Sequence, residues 1–331
     1  MASSTSLSKS AVPRRAAGLL ALAGLAWAVG GLYTLFWNPE VQFYKHGIRV
    51  KKAYAQKLDL EYPHKVVVAG GSSCATSVDG GRILQRDGIP VLNMGLAAGL
   101  GAKVLVRFAM SESRPGDTLI LALEPPLLGG SLEVPDLGVQ ISLAAGLPAL
   151  LPERAPCPWL KSLLDLRPGA YHVFTLTGKL LLRRPMFAYQ PQDFHPSGWH
   201  ETSMTRAFPN PSLAERPLSQ EGQAWLVTVR QSCAQRGIRV AYALPWYYCP
   251  PADAGRLRKI HARFLREVAA VIPVLKDPAL GVHPVREHFA NTNLHPTPAG
   301  AALHSDELAR QIVAWQTWTL DELNETLAAS D

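Results

Sequence analysis

Several classes of protein are excluded by what this chain lacks. Its 331 residues include only four cysteines, and no two of them form a Cys-x-x-Cys pair. No zinc-ligand spacing, aromatic RNA-binding motif or basic recognition helix occurs, so the sequence predicts no metal, no cofactor and no nucleic-acid partner. The thiols leave two alternatives open, up to two disulfides outside the cytosol or buried free thiols. They are Cys74, Cys157, Cys233 and Cys249.

No charged residue occurs in one long apolar run, Ala16 to Trp37. Its 22 residues, at about 1.5 Å each, can cross a hydrocarbon core of about 30 Å. The pair Arg14-Arg15 precedes it, so the positive-inside rule predicts a cytoplasmic segment at 1–15, a transmembrane anchor at 16–37 and the remainder outside. Two alternatives are a signal peptide cleaved after the small-x-small sequence Ala26-Trp27-Ala28 and a buried core helix.

Positive charge is concentrated near this run. The net charge is +7, and we interpret the excess as membrane-surface charge rather than nucleic-acid-binding charge. The residues concerned are Lys9, Arg14, Arg15, Lys45, Arg49, Lys51 and Lys52. Residues 38–63 are predicted to form a helical stalk that leads into a domain at 64–331.

Apolar segments that alternate with helical ones predict the fold of that domain. Such alternation implies parallel strand pairing and the α/β class. Strands are expected at 65–69, 90–93, 118–123, 238–244 and 271–275. Helices are expected at 75–86, 99–113, 219–236 and 252–269, with a last one from Thr297. The proline-rich stretch at about 124–216 is interpreted as an insertion that shapes a cleft, with helical candidates at 139–150 and 171–182 and two solvated histidines, His195 and His200.

The stretch Gly70-Gly71-Ser72-Ser73-Cys74-Ala75-Thr76 is the strongest indication of chemistry. It follows an apolar strand through a glycine turn, which presents a serine beyond the end of the sheet beside helix amides. A serine hydroxyl needs a neighbouring base, and His295, over 200 residues later, is the candidate. Gly95, after the second strand, is a candidate to donate its backbone N–H to an oxyanion together with the amide of Ser72.

These blocks resemble the SGNH (GDSL-like) hydrolase superfamily, within its membrane-anchored bacterial envelope branch, which includes proteins similar to alginate and peptidoglycan O-acetyltransferases. The resemblance implies a flavodoxin-like three-layer α/β/α sandwich, Ser72 as nucleophile, His295 as base and an oxyanion hole from Ser72 and Gly95. Ser73 is the alternative nucleophile. The matching pieces are Gly70-Gly71-Ser72 with Val78-Asp79, Asn93-Met94-Gly95 with Gly99-Leu100-Gly101, and Asn291-x-Asn293-x-His295 with Gly300.

The chain departs from the family pattern at two places. The family has an aspartate three or four residues before the histidine, where this chain has Asn291 and Thr292. Asn291 can orient an imidazole, but it cannot stabilise an imidazolium by charge. After the third strand, Glu124 stands where the family offers an asparagine to the oxyanion hole. The candidate cleft residues are Glu124, Asn293 and Trp246.

The resemblance also implies a function and a location. We expect a single-pass protein of the bacterial inner membrane with a periplasmic main domain. It would be a serine esterase or O-acyltransferase that acts on acyl groups, chiefly acetyl, of an envelope carbohydrate through an acyl-serine intermediate. Its partners would be the lipid bilayer, an envelope polysaccharide and a multi-pass membrane acyltransferase. The alternative, favoured by the missing aspartate, is an inactive carbohydrate-binding or assembly protein with the same fold.

Overall fold

The computed structural model describes residues 11–146, 177–184, 187, 189–202, 205–210, 212–215 and 217–328, with the side chains of 11–14 excepted. The chain divides into two compact units. The smaller unit comprises Met1–Gln42 and Val139–Ala188, and the larger comprises Phe43–Gly138 and Tyr189–Asp331.

The first helix, α1 (Ala11–Phe36), lies in the smaller unit. It belongs to a helical stretch that is long and apolar enough to cross a membrane, and only 11% of its most apolar window is buried. Leu20 and Leu25, for example, are exposed. Such exposure disfavours the core-helix alternative, because a core helix buries its apolar residues.

The second helix, α2 (Pro39–Glu61), covers the segment predicted to be a stalk. From Phe43 onward it belongs to the larger unit. Its buried side chains recur every three or four residues, the spacing of one helix face. They include Tyr44, Ile48, Lys51, Ala55 and Leu58.

A parallel four-stranded sheet forms the centre of the larger unit, as the alternation predicts. Its strands are β1 (Val66–Gly70), β2 (Val91–Asn93), β3 (Thr118–Ala122) and β4 (Arg239–Tyr242). They lie in the order β2-β1-β3-β4, and every pairing is parallel. A separate parallel pair joins β5 (Tyr247–Tyr248) to β6 (Val282–His283).

The remaining helices follow these strands along the chain. They are α3 (Ser72–Ser77), α4 (Gly80–Asp87), α5 (Ala102–Ser111), α6 (Asp136–Ala144), α7 (Gln220–Gln235), α8 (Ala254–Ala269), α9 (Pro298–Ala314) and α10 (Leu320–Ala328). Helices α7 and α9 each begin at a side-chain N-cap. The Ser219 side chain accepts from the Gly222 amide at the start of α7, and Thr297 accepts from the Gly300 amide at the start of α9.

Side chains of alternate parity pack on the two faces of the sheet. Val66 and Val68 of β1 lie in one core cluster with Ile83 of α4 and Leu308 of α9. Tyr242 of β4 has the other parity, and its ring meets Phe264 of α8 with centroids 5.9 Å apart. Helices therefore contact both faces, as the two-residue period of a strand allows.

Several predicted boundaries were wrong for local reasons. The single helix predicted at 75–86 is two helices, because the Asp79 side chain accepts from the Arg82 amide and caps α4 separately. Gly101, with φ of 80°, separates a short 3₁₀ turn at Ala98–Leu100 from α5. The strand predicted at 271–275 is reduced to isolated bridges such as Tyr242 with Val274.

Some predicted segments lie partly or wholly outside the described residues. Helix α6 covers part of the candidate at 139–150. The first half of the candidate at 171–182 lies outside the described residues, and residues 177–181 of its second half are helical. Helix α10, after the helix predicted to be last, was not anticipated. Cys74, Cys233 and Cys249 are buried free thiols, the second of the two cysteine alternatives. Cys157 also lies outside the described residues.

Candidate active site

The candidate site lies at the carboxyl edge of the sheet, where β1 and β3 end. The chain leaves β1 toward β2 on one side, and β3 lies on the other. Ligands of open α/β sheets bind at such a switch point, because the loops there diverge and leave a crevice. Ser72 and Ser73 follow β1, and Glu124 follows β3, so the sheet brings these three residues to one place.

The two adjacent serines differ in exposure. Ser73 is 1% exposed, and its hydroxyl donates to Glu124 Oε1 over 2.6 Å while its amide donates to the same oxygen over 3.2 Å. Ser72 is half-buried, and its hydroxyl makes no hydrogen bond within the described residues. Of the two serines, Ser72 is the one open to a substrate, as the preference for it as nucleophile requires.

Glu124 is the buried carboxylate that accepts these two hydrogen bonds from Ser73. It is 3% exposed, and its Oε2 is a buried atom without a hydrogen-bond partner in the described part of the chain. Burial raises the pKa of Glu124, while the hydrogen bond from Ser73 acts in the opposite direction. A Cβ added at Gly71 would meet the Glu124 carboxylate, which would have to shift to make room. At 3% exposure Glu124 does not face an open cleft, so that prediction is wrong.

His295 is buried and held by Asn291. Its Nδ1 lies 2.8 Å from Asn291 Oδ1, and its amide donates to Thr292 Oγ1 over 3.1 Å. Because an amide oxygen only accepts, this contact assigns the ring proton to Nδ1 and leaves Nε2 with a lone pair. Burial lowers the pKa of His295 to about 4. The imidazole is thus neutral at pH 7, the state that a general base requires.

A chain of contacts connects His295 to the helix that Ser72 begins. Asn291 Nδ2 donates to the Tyr189 hydroxyl over 3.3 Å, and the Tyr189 ring meets the His200 ring with centroids 5.0 Å apart. The His200 amide donates to the Ala75 carbonyl of α3 over 3.0 Å. His295 is therefore linked to α3 only indirectly, through three intermediate residues, and no hydrogen bond joins the Ser72 hydroxyl to the His295 ring in the structure as described.

The Gly95 amide is not available for an oxyanion in this structure. It donates to Asn93 Oδ1 over 2.8 Å. The Asn93 amide group in turn donates to the carbonyls of Cys74, Ala75 and Val78. Gly95 also lies against the α3 backbone, where a Cβ would collide with the Ala75 amide. The residue predicted as an oxyanion donor thus serves close packing, and the Ser72 amide remains the predicted donor.

A buried lysine underlies the same region. Lys51 of α2 is fully buried, and its Nζ donates to Asn93 O over 2.9 Å and to Gly198 O. Burial lowers its pKa to about 7. Its assignment to surface charge was therefore wrong. Helix periodicity places Lys51 on the buried face of α2, and this is the signal in the sequence that could have found it.

His200 was also misassigned. It is 5% exposed, and its ring packs among Phe43, Tyr189 and Phe194. Burial lowers its pKa to about 3, and the nearby Lys51 and His295 act in the same direction. The prediction of a solvated histidine fits His195 instead, which is exposed and lies 2.8 Å from Glu201. No local pattern distinguishes these two histidines.

The other candidate cleft residues make contacts of their own. Trp246 is 6% exposed, and His283 stacks on its ring at 4.0 Å between centroids. Trp246 therefore packs in the core, and its predicted place in the cleft is not supported. Asn293 is half-buried, and its carbonyl accepts from the Tyr248 amide over 2.8 Å.

Neither a metal site nor a cavity elsewhere in the described residues offers a second candidate active site. Within the described residues, no three His, Cys, Asp or Glu side chains are placed to hold a metal ion. A cavity of about 450 Å³ lies between α7, α8 and α10 and contains none of the candidate residues. It is lined by Leu218, Gln223, Arg266, Glu267, Ala270, Leu320 and Asn324.

The chain matches no protein-family model, and no curated protein or solved structure is significantly similar to it. The assignment of a function therefore depends on the geometry of the site and on the motifs of the sequence.

Proposed function

We propose that this chain is a membrane-anchored, SGNH-like serine esterase or O-acyltransferase with Ser72 as nucleophile and His295 as base. One observation carries the proposal. A solvent-accessible serine at the sheet edge begins α3, and a neutral, oriented histidine from the far end of the sequence is linked to the same helix by contacts through Asn291, Tyr189 and His200. A nucleophile and a base oriented by a third group are the minimum for acyl transfer through serine.

The chemistry would proceed in two steps. Ser72 Oγ attacks the ester carbonyl carbon, and its proton passes to His295 Nε2. The alcohol then leaves with that proton, and the acyl group stays on Ser72. In the second step water or a sugar hydroxyl attacks the acyl-serine, its proton passes to Nε2, and Ser72 leaves as alkoxide and recovers it. Hydrolysis and transfer differ only in the second acceptor.

The strand order supports the flavodoxin-like sandwich that the resemblance implies. The order β2-β1-β3-β4 equals the first four positions of the flavodoxin-like order. We accordingly propose a flavodoxin-like three-layer sandwich. The substrate class, acyl and chiefly acetyl groups on an envelope carbohydrate, follows from the resemblance of the motifs, as does a multi-pass membrane acyltransferase as partner.

The location is part of the same proposal. Helix α1 is long and apolar enough to cross a membrane. With Arg14 and Arg15 before it, the positive-inside rule favours a cytoplasmic N-terminus and a periplasmic larger unit in the bacterial inner membrane. An N-terminal tag that is retained on the mature protein would exclude the cleaved signal peptide.

A second candidate function is an inactive carbohydrate-binding or assembly protein. Two observations favour it. The Gly95 amide is already bonded to Asn93, and no hydrogen bond joins the Ser72 hydroxyl to His295 among the residues described. Catalytic hydrogen bonds are often long without substrate, so reactivity rather than geometry decides between the two functions.

The test is covalent labelling of the full chain with a fluorophosphonate probe, together with aryl acetate hydrolysis. Ser72→Ala and His295→Ala are expected to lose about hundredfold or more of the rate, as removal of a nucleophile or base does. His195→Ala is the matched control, an exposed histidine whose loss leaves the rate unchanged. Ser73→Ala tests the alternative nucleophile and should still label. A wild-type chain that neither labels nor turns over would favour the binding function.

A further inference from the structure

Three consecutive leucines in the smaller unit are exposed. Leu180, Leu181 and Leu182 are 69%, 78% and 66% exposed. Contiguous large apolar side chains on a surface mark contacts with another apolar phase, because water disfavours them. We refer to Leu180-Leu181-Leu182 as the leucine tip.

The leucine tip has a defined backbone. Residues 177–181 are helical. The Arg184 amide donates to the Lys179 carbonyl over 2.9 Å, and the Arg183 amide donates to the Leu180 carbonyl over 3.1 Å. This pair of bonds is a Schellman motif, in which Arg183 holds the left-handed position with φ of 49°. The chain therefore reverses directly after the leucines and leaves them at the end of an ordered turn.

Cations frame the leucine tip. Lys179 precedes it, Arg183 and Arg184 follow it, and residues 177–184 contain no acidic side chain. Both arginines are exposed. Apolar side chains beside exposed cations match the layered chemistry of an anionic bilayer, in which acyl chains lie beneath negative headgroups.

The compact unit that holds the leucine tip also holds α1. A helix that crosses a bilayer keeps the rest of its unit at that surface. We propose that the leucine tip inserts into the headgroup boundary of the membrane that α1 crosses, with Arg183 and Arg184 at anionic headgroups. The inference rests on the membrane anchor of the proposed function and adds a second, separate contact with lipid.

The test measures the depth of residue 181 in a bilayer. The full chain carries Leu181→Cys in a Cys157→Ser background, since Cys74, Cys233 and Cys249 are buried. It is labelled with an environment-sensitive fluorophore and placed in phosphatidylcholine vesicles with about one quarter phosphatidylglycerol. Doxyl lipids are expected to quench the label about twofold or more, because interfacial side chains lie about 5–10 Å deep.

Two controls isolate the effect. Leu60→Cys labels a leucine that is even more exposed, at 89%, and that is flanked by Asp59 and Glu61 instead of cations, and it should remain unquenched. The double variant Arg183→Gly with Arg184→Gln keeps the left-handed turn while removing both charges. It should lose about half or more of the quenching in anionic vesicles, but none in pure phosphatidylcholine.

The outcomes separate the anchor from the leucine tip. Release of the wild-type chain by alkaline carbonate would contradict the membrane anchor of the proposed function, and it would overturn the insertion of the leucine tip as well. A retained chain with an unquenched label at 181 would overturn the leucine tip alone. A blue-shifted label that doxyl lipids do not quench would mean that protein, from this chain or another copy, covers the leucines, and it would also overturn the inference.

Discussion

The contact between Asn291 and His295 determines what the imidazole can do. The amide oxygen at 2.8 Å orients the ring, but it carries no charge to stabilise an imidazolium. Burial then lowers the pKa of His295 to about 4. The histidine is neutral at every pH above that value, yet it is a weak base, and this limits the rate that the proposed pair can reach.

A single substitution tests this account. In Asn291→Asp a carboxylate replaces the amide oxygen beside Nδ1, which favours the protonated ring and raises the pKa of His295. The acid limb of kcat/KM for an aryl acetate should move from near pH 4 toward neutrality. The rate at pH 8 should rise about tenfold or more, since the reverse change in serine proteases costs far more than that.

The control is Asn210→Asp, which adds the same charge at an exposed position and should change neither quantity. An acid limb that stays near pH 4 in Asn291→Asp, in a variant that unfolds at the wild-type temperature, would show that His295 is not the titrating base.

Residue types in the motifs predicted part of this site. The contact through which Asn291 orients His295 could be predicted from the spacing and the resemblance, while the roles of Ser72 and His295 stay predictions. The opposite exposure of Ser72 and Ser73 could not be predicted, because Glu124 lies 51 residues from Ser73 in sequence and only strand pairing brings it close. The bond from the Gly95 amide to Asn93 is different, because the two residues are only two apart and asparagine often accepts from a backbone amide at that distance in sequence.

At the scale of elements, the end of β2 packs directly on α3. Gly95 touches the backbone of Cys74 and Ala75, so an added Cβ finds main-chain atoms that cannot rotate away. Gly95→Ala should therefore destabilise the chain by about 1–3 kcal/mol. Thermal unfolding followed by circular dichroism measures this.

Gly255 in α8 supplies the matched control. Nothing lies within 4 Å of a Cβ built there, so Gly255→Ala should be neutral or stabilising by up to about 1 kcal/mol. Equal unfolding temperatures for Gly95→Ala and the wild type would contradict the close contact between β2 and α3.

Strand positions were more predictable than helix boundaries. Four apolar runs bounded by turns became β1 to β4, because a buried parallel strand is apolar on both faces. Helix boundaries depended on single side chains. Asp79 serves as an N-cap in the middle of a predicted helix, and the Gly80-Gly81 pair that follows it is the signal that could have indicated the interruption.

For the whole molecule, buried histidines dominate the response to acid. His200 has a pKa lowered to about 3, and His261, His295 and His304 have values lowered to about 4. Burial is the first cause in each case. The unfolded chain, with histidine values near 6.5, binds more protons than the folded chain between about pH 4 and 6.5.

The free energy of unfolding should consequently fall as pH drops from about 6.5 to 4, by several kcal/mol in total. Glu124 and Glu307 act in the opposite direction, because their pKa values are raised and folding favours their protonated forms. Four imidazoles outweigh two carboxyls over this interval. Chemical unfolding of the solubilised chain at a series of pH values measures the slope.

Replacement of one buried imidazole should reduce this slope, and replacement of an exposed one should not. His304→Gln removes a buried ring whose Nδ1 donates to the Ser77 carbonyl oxygen over 3.2 Å, whereas His195→Gln alters an exposed one. The same slope in both variants would argue against burial as the source of acid sensitivity.

The two edge strands of the four-stranded sheet, β2 and β4, offer little backbone for pairing with another molecule. β2 is three residues long, and the outer side of β4 is occupied, since Tyr242 bonds through its backbone to Pro273 and Leu275. Either edge strand thus leaves few free amides and carbonyls for a strand from another molecule. Copies at high local concentration would accordingly resist joining their sheets into fibrils, even though each sheet is strongly apolar.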